Sequence, residues 1–298
     1  MSDFRLIVFQ SVARNLSFTK ASQELFITQP AITKHIQELE SQYKVPLFER
    51  LGNRISLTSA GQLLLKHCEP ILAGYKQLDY EMNLLHDEHS GDLKLGASTT
   101  IAQYVLPPLL AIFTEKFPEL NVTLINGNSR DIETALLEHQ LDLGMVEGNL
   151  RQSTLKYTSY LEDELVAVVH TSSKLARLEE ISLNALKTVP LVLRERGSGT
   201  LDVLETALQS HNIKLSDLTI RMQLGSTESI KRFLEKTDCM GVVSIRSISR
   251  ELMSGAFKVI EIKELAMQRD FSFVCLHGNE NGQAQFFQQF AFHYKEIL

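Results

Sequence analysis

The rhythm of apolar and polar residues changes twice along this chain of 298 residues. Up to about residue 58 the apolar positions recur at intervals of three and four in short stretches, which predicts small amphipathic helices. One helix is expected to start at Ser17, a good N-cap residue type, with Phe18, Ala21 and Leu25 facing inward. After a turn through Phe26 and Ile27, Thr28 is the next N-cap. Pro30 sits where a missing N–H does little harm, and Ala31, Ile32, Ile36, Leu39 and Tyr43 supply the buried side of a second helix. Gln29, Thr33, Lys34 and Gln37 are left facing outward near its start. Val45-Pro46-Leu47-Phe48 packs back, and a Gly52-Asn53 turn before Ile55-Ser56-Leu57 predicts a two-stranded wing with Arg50 and Arg54 near its tip. Such a helix pair can place its second helix in a DNA major groove, where amide and hydroxyl groups meet base edges and Lys34 can meet phosphate. A generic helical bundle with a hairpin remains open on the local pattern alone.

The second stretch, from Ser59 to about Asp87, is one long helical pattern. Leu64, Cys68, Ile71, Tyr75, Leu78, Met82 and Leu85 alternate spacings of four and three, a heptad seam. The seam reads as a dimer contact, with packing against its own domain as the alternative. Pro70 predicts a kink or a lost hydrogen bond. Residues His86 to Gly91 form a polar hinge. Its two histidines have no third ligand nearby and read as solvated linker.

After Gly91 short strands alternate with helices, the signature of an open α/β sheet. Strands are expected at 93–97, 121–125, 141–146, 164–170, 191–193, 219–224, 240–244, 258–262 and 271–276. Helices are expected at 101–117 and 131–138, between the later strands, and at 282–297. Ligands of such sheets bind beyond the carboxyl ends of strands. Three segments lie there: Ser98-Thr99-Thr100, Gly197-Ser198-Gly199-Thr200 and Gly225-Ser226-Thr227. Each offers hydroxyls and backbone N–H groups suited to a small anion, and Arg194 and Arg196 add positive charge. Each segment alone is as well explained by an ordinary N-cap; three converging on one cleft favour a pocket. Glu147, Glu195 and Glu228 nearby keep a partly cationic effector open.

Charge at first argues against nucleic acid, since the net is −6. Its placement reverses the point. Residues 1–66 carry 8 Lys and Arg against 5 Asp and Glu, while the remainder carries 22 against 31. Local positive charge governs phosphate affinity, and an excess this small suggests that two copies act together. Cys68, Cys239 and Cys275 are scattered and form no metal-ligand cluster; small buried fillers are expected. No metal site and no bound cofactor are expected. No apolar run is long enough for a membrane span, and Asp3, Arg5 and Gln10 break the start as a signal peptide, so a cytoplasmic protein is expected. An enzyme is disfavoured, because GSGT lacks the lysine of a phosphate-binding loop and no nucleophile or paired-carboxylate pattern is present. A solute-binding protein with a fused helical domain would need export, for which no signal is visible.

The segments SFTKAS, LFITQPAITKHIQELE, VPLFER and LTSAGQ occur in this order near the N-terminus. Together they resemble the LysR-type transcriptional regulators, most densely over residues 1–66. The resemblance implies an N-terminal all-α winged helix-turn-helix over 1–58 and a linker and dimerisation helix with hinge over 59–90. An α/β effector domain over 91–298 would follow, with two lobes like those of periplasmic solute-binding proteins: lobe I at 91–161 and 268–298, lobe II at 162–267. By position, Thr28, Gln29, Pro30, Thr33 and Lys34 would meet DNA from the recognition helix, and Arg50 and Arg54 from a wing less basic than is usual in the family. Ser98, Thr99, Thr100, Arg194, Gly197, Ser198, Gly199, Thr200, Ser226 and Thr227 would hold a non-covalent small-molecule effector between the lobes. RERGSGT resembles the cleft segment of the branch controlling sulfur and carbon assimilation. The implied partners are double-stranded promoter DNA, a second copy through the linker helix, a homotetramer, and RNA polymerase.

Overall fold

The structure, a computed structural model, describes residues 3–51, 54–84, 90–148, 151–277 and 282–297. The chain divides into two compact units, Met1–Asp87 and Glu88–Leu298. The Gly52-Asn53 turn, the histidine pair of the hinge and Leu85 lie outside the described residues.

The first unit runs α1 (Phe4–Asn15), α2 (Phe18–Glu24), α3 (Gln29–Tyr43), an antiparallel hairpin of β1 (Phe48–Leu51) and β2 (Arg54–Leu57), and α4 (Ser59–Leu84). Phe9, Val12, Ala21, Ile32, Ile36, Leu39 and Leu47 form its core. Ser17 caps α2 by accepting from the Lys20 N–H. The Glu40 carboxylate accepts from the Leu47 and Phe48 N–H groups (2.7 and 3.4 Å) and so fixes where the chain leaves α3 for the wing. Tyr43, expected inside, is 48% exposed, because α3 outruns the core before turning through Lys44 in a left-handed conformation. Val45 is exposed as well, and of that segment Leu47 and Phe48 make the core contacts.

The expected seam on α4 divides. Cys68 and Leu72 are buried, and Leu64 and Tyr75 pack against the first unit's own core. Ile71, Leu78 and Met82 are exposed. At 3.6 residues per turn Leu64 and Met82 fall at the same angle and Ile71 and Leu78 at the edge of the same arc, so burial depends on position along the helix as well as on face. The helix continues through Pro70. Gly61 allows its first turn to approach the chain before the wing, since a Cβ there would stand 2.1 Å from the Leu47 carbonyl oxygen.

The second unit begins with β3 (Gly91–Ser98), α5 (Thr99–Tyr104), α6 (Leu106–Lys116), β4 (Leu120–Gly127), α7 (Ser129–Leu137), β5 (Leu143–Glu147) and β6 (Leu155–His170). It continues with β7 (Glu180–Ile181), α8 (Leu183–Leu186), β8 (Leu191–Arg194), α9 (Gly199–Ser210), β9 (Ile220–Leu224) and α10 (Thr227–Leu234). It closes with β10 (Met240–Ser244), α11 (Ile245–Met253), β11 (Phe257–Ile262), β12 (Gln268–Leu276) and α12 (Gly282–His293). The helix expected over 101–117 is two helices that meet at Val105, because Pro107 and Pro108 belong in a first turn, where no N–H is needed.

The sheet is mixed, in the order β4-β3-β5-β12-β6-β10-β8-β9, with β11 beside β6 and β7 beside β11. It makes two lobes. In one, β3 lies parallel between β4 and β5, and β12 runs antiparallel to β5. In the other, β8 lies parallel between β9 and β10. β6 is common to both: Leu155 to Glu164 pair with β12, and Leu165 to His170 pair with β10 and β11. β5, β8 and β10 are buried at every position, as strands covered on both faces require. Phe113, Phe273, Phe287 and Phe290 stack in the first lobe's core. Leu193, Leu201, Leu204, Met240 and Val242 fill one face of the second.

Candidate functional site

The exposed start of α3 is the first site. Thr28 is its N-cap residue but makes no side-chain cap bond, which leaves its hydroxyl available. Thr28, Gln29, Pro30 and Lys34 are exposed, and Thr33 is half-buried with its hydroxyl donating to the Gln29 carbonyl (3.1 Å). The first-turn N–H groups beside them carry the positive end of the helix dipole. Arg50 and Arg54 belong to β1 and β2; their side chains lie outside the described residues.

The second site lies where strands of both lobes end. Ser98 closes β3, Glu147 closes β5 and Arg194 closes β8. Thr99 and Thr100 open α5, Thr200 lies in the first turn of α9, and Arg269 sits on β12 where it pairs with Asp163 of β6. All eight side chains belong to buried residues. Glu147 Oε1 accepts from the Thr100 and Thr200 hydroxyls (3.3 and 3.2 Å) and lies 3.3 Å from Arg269 Nη1. Arg269 also donates to Thr200 Oγ1 (3.0 Å) and to Asp163 Oδ2 (2.7 Å). Ser244 donates to the other Asp163 oxygen (2.7 Å). Arg194 donates to the Glu195 carboxylate (2.8 and 2.9 Å) and to Thr99 Oγ1 (3.2 Å). Two neighbouring polar clusters therefore join the lobes, one centred on Arg269 and one on Arg194.

Six buried side-chain N or O atoms among the described residues lack a hydrogen-bond partner, and four of them belong to residues of this site: Ser98 Oγ, Glu147 Oε2, Arg194 Nη1 and Arg269 Nη2. Buried polar groups are nearly always paired, so this concentration sets the place apart from the rest of the described residues.

The remaining expected residues are placed differently. Ser198 and Ser226 cap α9 and α10 through the Leu201 and Ser229 N–H groups (3.2 Å each), the ordinary N-cap role. Ser98 heads α5 without making such a bond. Gly199 lets the lobes meet backbone to backbone, since a Cβ there would stand 1.9 Å from the Glu147 carbonyl oxygen. The Gly197 carbonyl accepts from the Arg130 N–H (3.2 Å). Thr227 is buried at the start of α10. Arg196 is exposed and lines a separate groove with Arg130, Asp202 and Lys214. Arg269 and Asp163 were absent from the sequence-based expectation. Each sits in a polar run, Glu162-Asp163-Glu164 and Gln268-Arg269-Asp270, so nothing in the local pattern marks it as buried.

A further contact joins the lobes beside the site. Tyr104 of α5 donates to Glu228 of α10, and Lys231 lies over the Tyr104 ring, 5.2 Å from the ring centroid. Burial and the Glu228 contact push the Tyr104 phenol up to about 12. Burial acts against the Lys231 ammonium, but Glu228 and Glu251 outweigh it and hold it above its usual value.

An exposed helix start in a winged helical unit, joined in one chain to a two-lobed α/β unit with a buried polar cleft, defines a DNA-binding regulator with an effector domain. Residues 5–62 match the bacterial regulatory helix-turn-helix protein, lysR family, and residues 86–292 match the LysR substrate binding domain. The chain belongs to the LysR-type transcriptional regulators. It is 29% identical to the HTH-type transcriptional regulator CysL of Bacillus subtilis, over 90% of this chain and 89% of that protein. It is 32% identical to a probable RuBisCO transcriptional regulator of Gracilaria tenuistipitata, over 91% of this chain and 88% of that one. Among solved structures, it resembles the Synechocystis PCC6803 CcmR regulatory domain in complex with 2-PG, with a TM-score of 0.63, 25% identity and coverage of 70% of this chain and 99% of that one.

Proposed function

We propose that this regulator binds promoter DNA as a homodimer joined through α4, assembled further into a homotetramer, and that a small acidic effector in the inter-lobe cleft controls its output. The observation that carries the effector reading is the cluster of unpaired buried donors on Arg194, Arg269 and Ser98. The CcmR regulatory domain in complex with 2-PG supports an acid in a comparable domain. Gln29, Thr33 and Lys34 read the major groove, Thr28 and Pro30 set the helix start against the backbone, and Arg50 and Arg54 add wing contacts. The exposed Ile71, Leu78 and Met82 form the partner-facing stripe of α4. The domains follow the expected bounds of 1–58, 59–90 and 91–298. The protein acts in the cytoplasm without catalysis of its own, and RNA polymerase is the partner through which bound DNA becomes transcription. The likeness to a probable RuBisCO transcriptional regulator supports target genes of carbon assimilation.

The coupling is a population shift: an effector that contacts both lobes favours one packing of subunits, and that packing sets how half-sites are engaged. Fluorescence anisotropy with the DNA flanking the protein's own gene tests the reading. The expected result is binding at least a hundredfold tighter than to a scrambled duplex of equal length. Equal affinity for both duplexes would overturn it.

A further inference from the structure

Resting on the reading of the cleft as the effector site, we propose that its ligand is a bifunctional acid. It carries a carboxylate or phosphate for the two arginines and, a few bonds away, a hydroxyl or ammonium that donates to Glu147.

The four unpaired atoms do not ask for the same chemistry. Arg194 Nη1 and Arg269 Nη2 can only donate, and Ser98 Oγ can do either. Glu147 Oε2, ionised, can only accept. Its sister oxygen Oε1 already has Thr100, Thr200 and Arg269 as partners, whereas Oε2 has none. A plain anion seated on the guanidinium groups would satisfy the donors and leave that carboxylate oxygen both unpaired and facing a like charge in a buried setting.

Charge balance points the same way. Arg269 already faces the two buried carboxylates of Glu147 and Asp163, and Glu195 stands against Arg194. The site is therefore not a simple positive pocket. A ligand that brings its own donor converts the repulsion at Glu147 into a hydrogen bond. The 3.3 Å separation of Glu147 Oε1 from Arg269 Nη1 places their sister atoms within reach of one small molecule.

The same geometry gives such a ligand leverage on the hinge. Arg269 lies on β12 and grips Asp163 on β6, the strand shared by both lobes, and Ser244 of the second lobe grips that aspartate from the other side. A ligand held by Arg269 and Glu147 at once bridges the first lobe to the strands on which the second one turns.

Isothermal titration of the full-length protein with acids matched in size tests the proposal. Acetate, glycolate and glycine differ by a hydrogen, a hydroxyl and an ammonium; propyl phosphate and glycerol 3-phosphate extend the comparison to phosphates, with sulfate as a donor-free control. The expected result is at least tenfold tighter binding of the donor-bearing member in at least one series, with that preference lost in Glu147→Gln while the donor-free acid still binds. Which donor wins separates the hydroxyl from the ammonium form. Glu147→Asp, which keeps the charge but withdraws the oxygen, is measured alongside and should also lose the preference. Equal binding within every series in wild type, or a preference unchanged in both variants, overturns the proposal while leaving the cleft reading standing. Acid binding that survives Arg194→Met unchanged, or no binding by any probe, overturns the cleft reading and the proposal together. Wild-type ratios decide the matter even if a variant fails to fold.

Discussion

Replacing Arg269 with Met should destabilise the effector domain by about 3–5 kcal/mol, the range for removing one partner from a buried ion pair. The structure supports the upper part of that range. Arg269 is 3% exposed and is the cation in contact with both Asp163 and Glu147, themselves 5% and 3% exposed. Its removal strands two buried carboxylates and takes a donor from Thr200. Methionine keeps an unbranched apolar stem, so the loss reports on charge, hydrogen bonding and the guanidinium's place over the Phe271 ring more than on a cavity. Arg269→Lys should lose less, since it keeps the charge, but more than a surface change, because an ammonium cannot reproduce the planar fork. The assay is urea unfolding of the full-length chain followed by far-UV circular dichroism, the sequence having no tryptophan. A loss below about 1 kcal/mol for Arg269→Met would refute the network as an organising feature of the domain.

Gln29→Ala should weaken binding to the specific site by about 1–3 kcal/mol and leave random DNA nearly unaffected, while Thr33→Ala should do less because its hydroxyl is already turned back to the Gln29 carbonyl; anisotropy on both duplexes separates the two. Leu78→Asp should dissociate the dimer with the effector domain still folded, and a sedimentation profile like that of wild type would remove α4 from the interface. The Glu228 carboxyl feels burial, which raises its pKa, but Lys231 and Tyr104 outweigh it and hold it below its ordinary value of 4.5. Its contribution to stability is therefore complete above that value and lost as the pH falls through the lowered one. The stability gap between wild type and Glu228→Gln should be flat at neutral pH and close in acid, and a gap that widened on acidification would contradict the assignment.

The parts of the fold that were legible in the sequence are those with local punctuation. Ser17 marks the start of α2 by its cap bond, and Pro30 marks that of α3 by its place in the first turn, where Thr28 is the N-cap residue without a cap bond. α1 carries apolar residues on most of its circumference, from Leu6 to Ala13, and offers no comparable periodic signal. The first half of β6 went unread because its alternation breaks at a bulge. Ser159 and Leu161 face successive residues of β12, Tyr160 is left between them, and its hydroxyl donates to the Ala291 carbonyl (2.8 Å). In the cleft, Ser98, Thr99, Thr100, Arg194 and Thr200 could be placed from their positions after strands. Arg269 and Asp163 could not, since they meet only through strand pairing between segments 106 residues apart. The heptad on α4 reads as one seam, whereas Leu64, Cys68 and Tyr75 pack in the first unit's own core and Ile71, Leu78 and Met82 are exposed.

The central claim is that the cleft and the DNA-binding surface are thermodynamically linked. Its most direct measurement is the anisotropy-derived affinity for the promoter duplex, with and without a saturating acid that titrates into the wild-type cleft, in wild type and in Arg194→Met. Linkage requires the acid to change wild-type DNA affinity and the DNA to change acid affinity by the same factor, fivefold or more on the scale of about 1–3 kcal/mol, with no effect of the acid in Arg194→Met. A DNA affinity that does not move while the acid is bound would contradict the account.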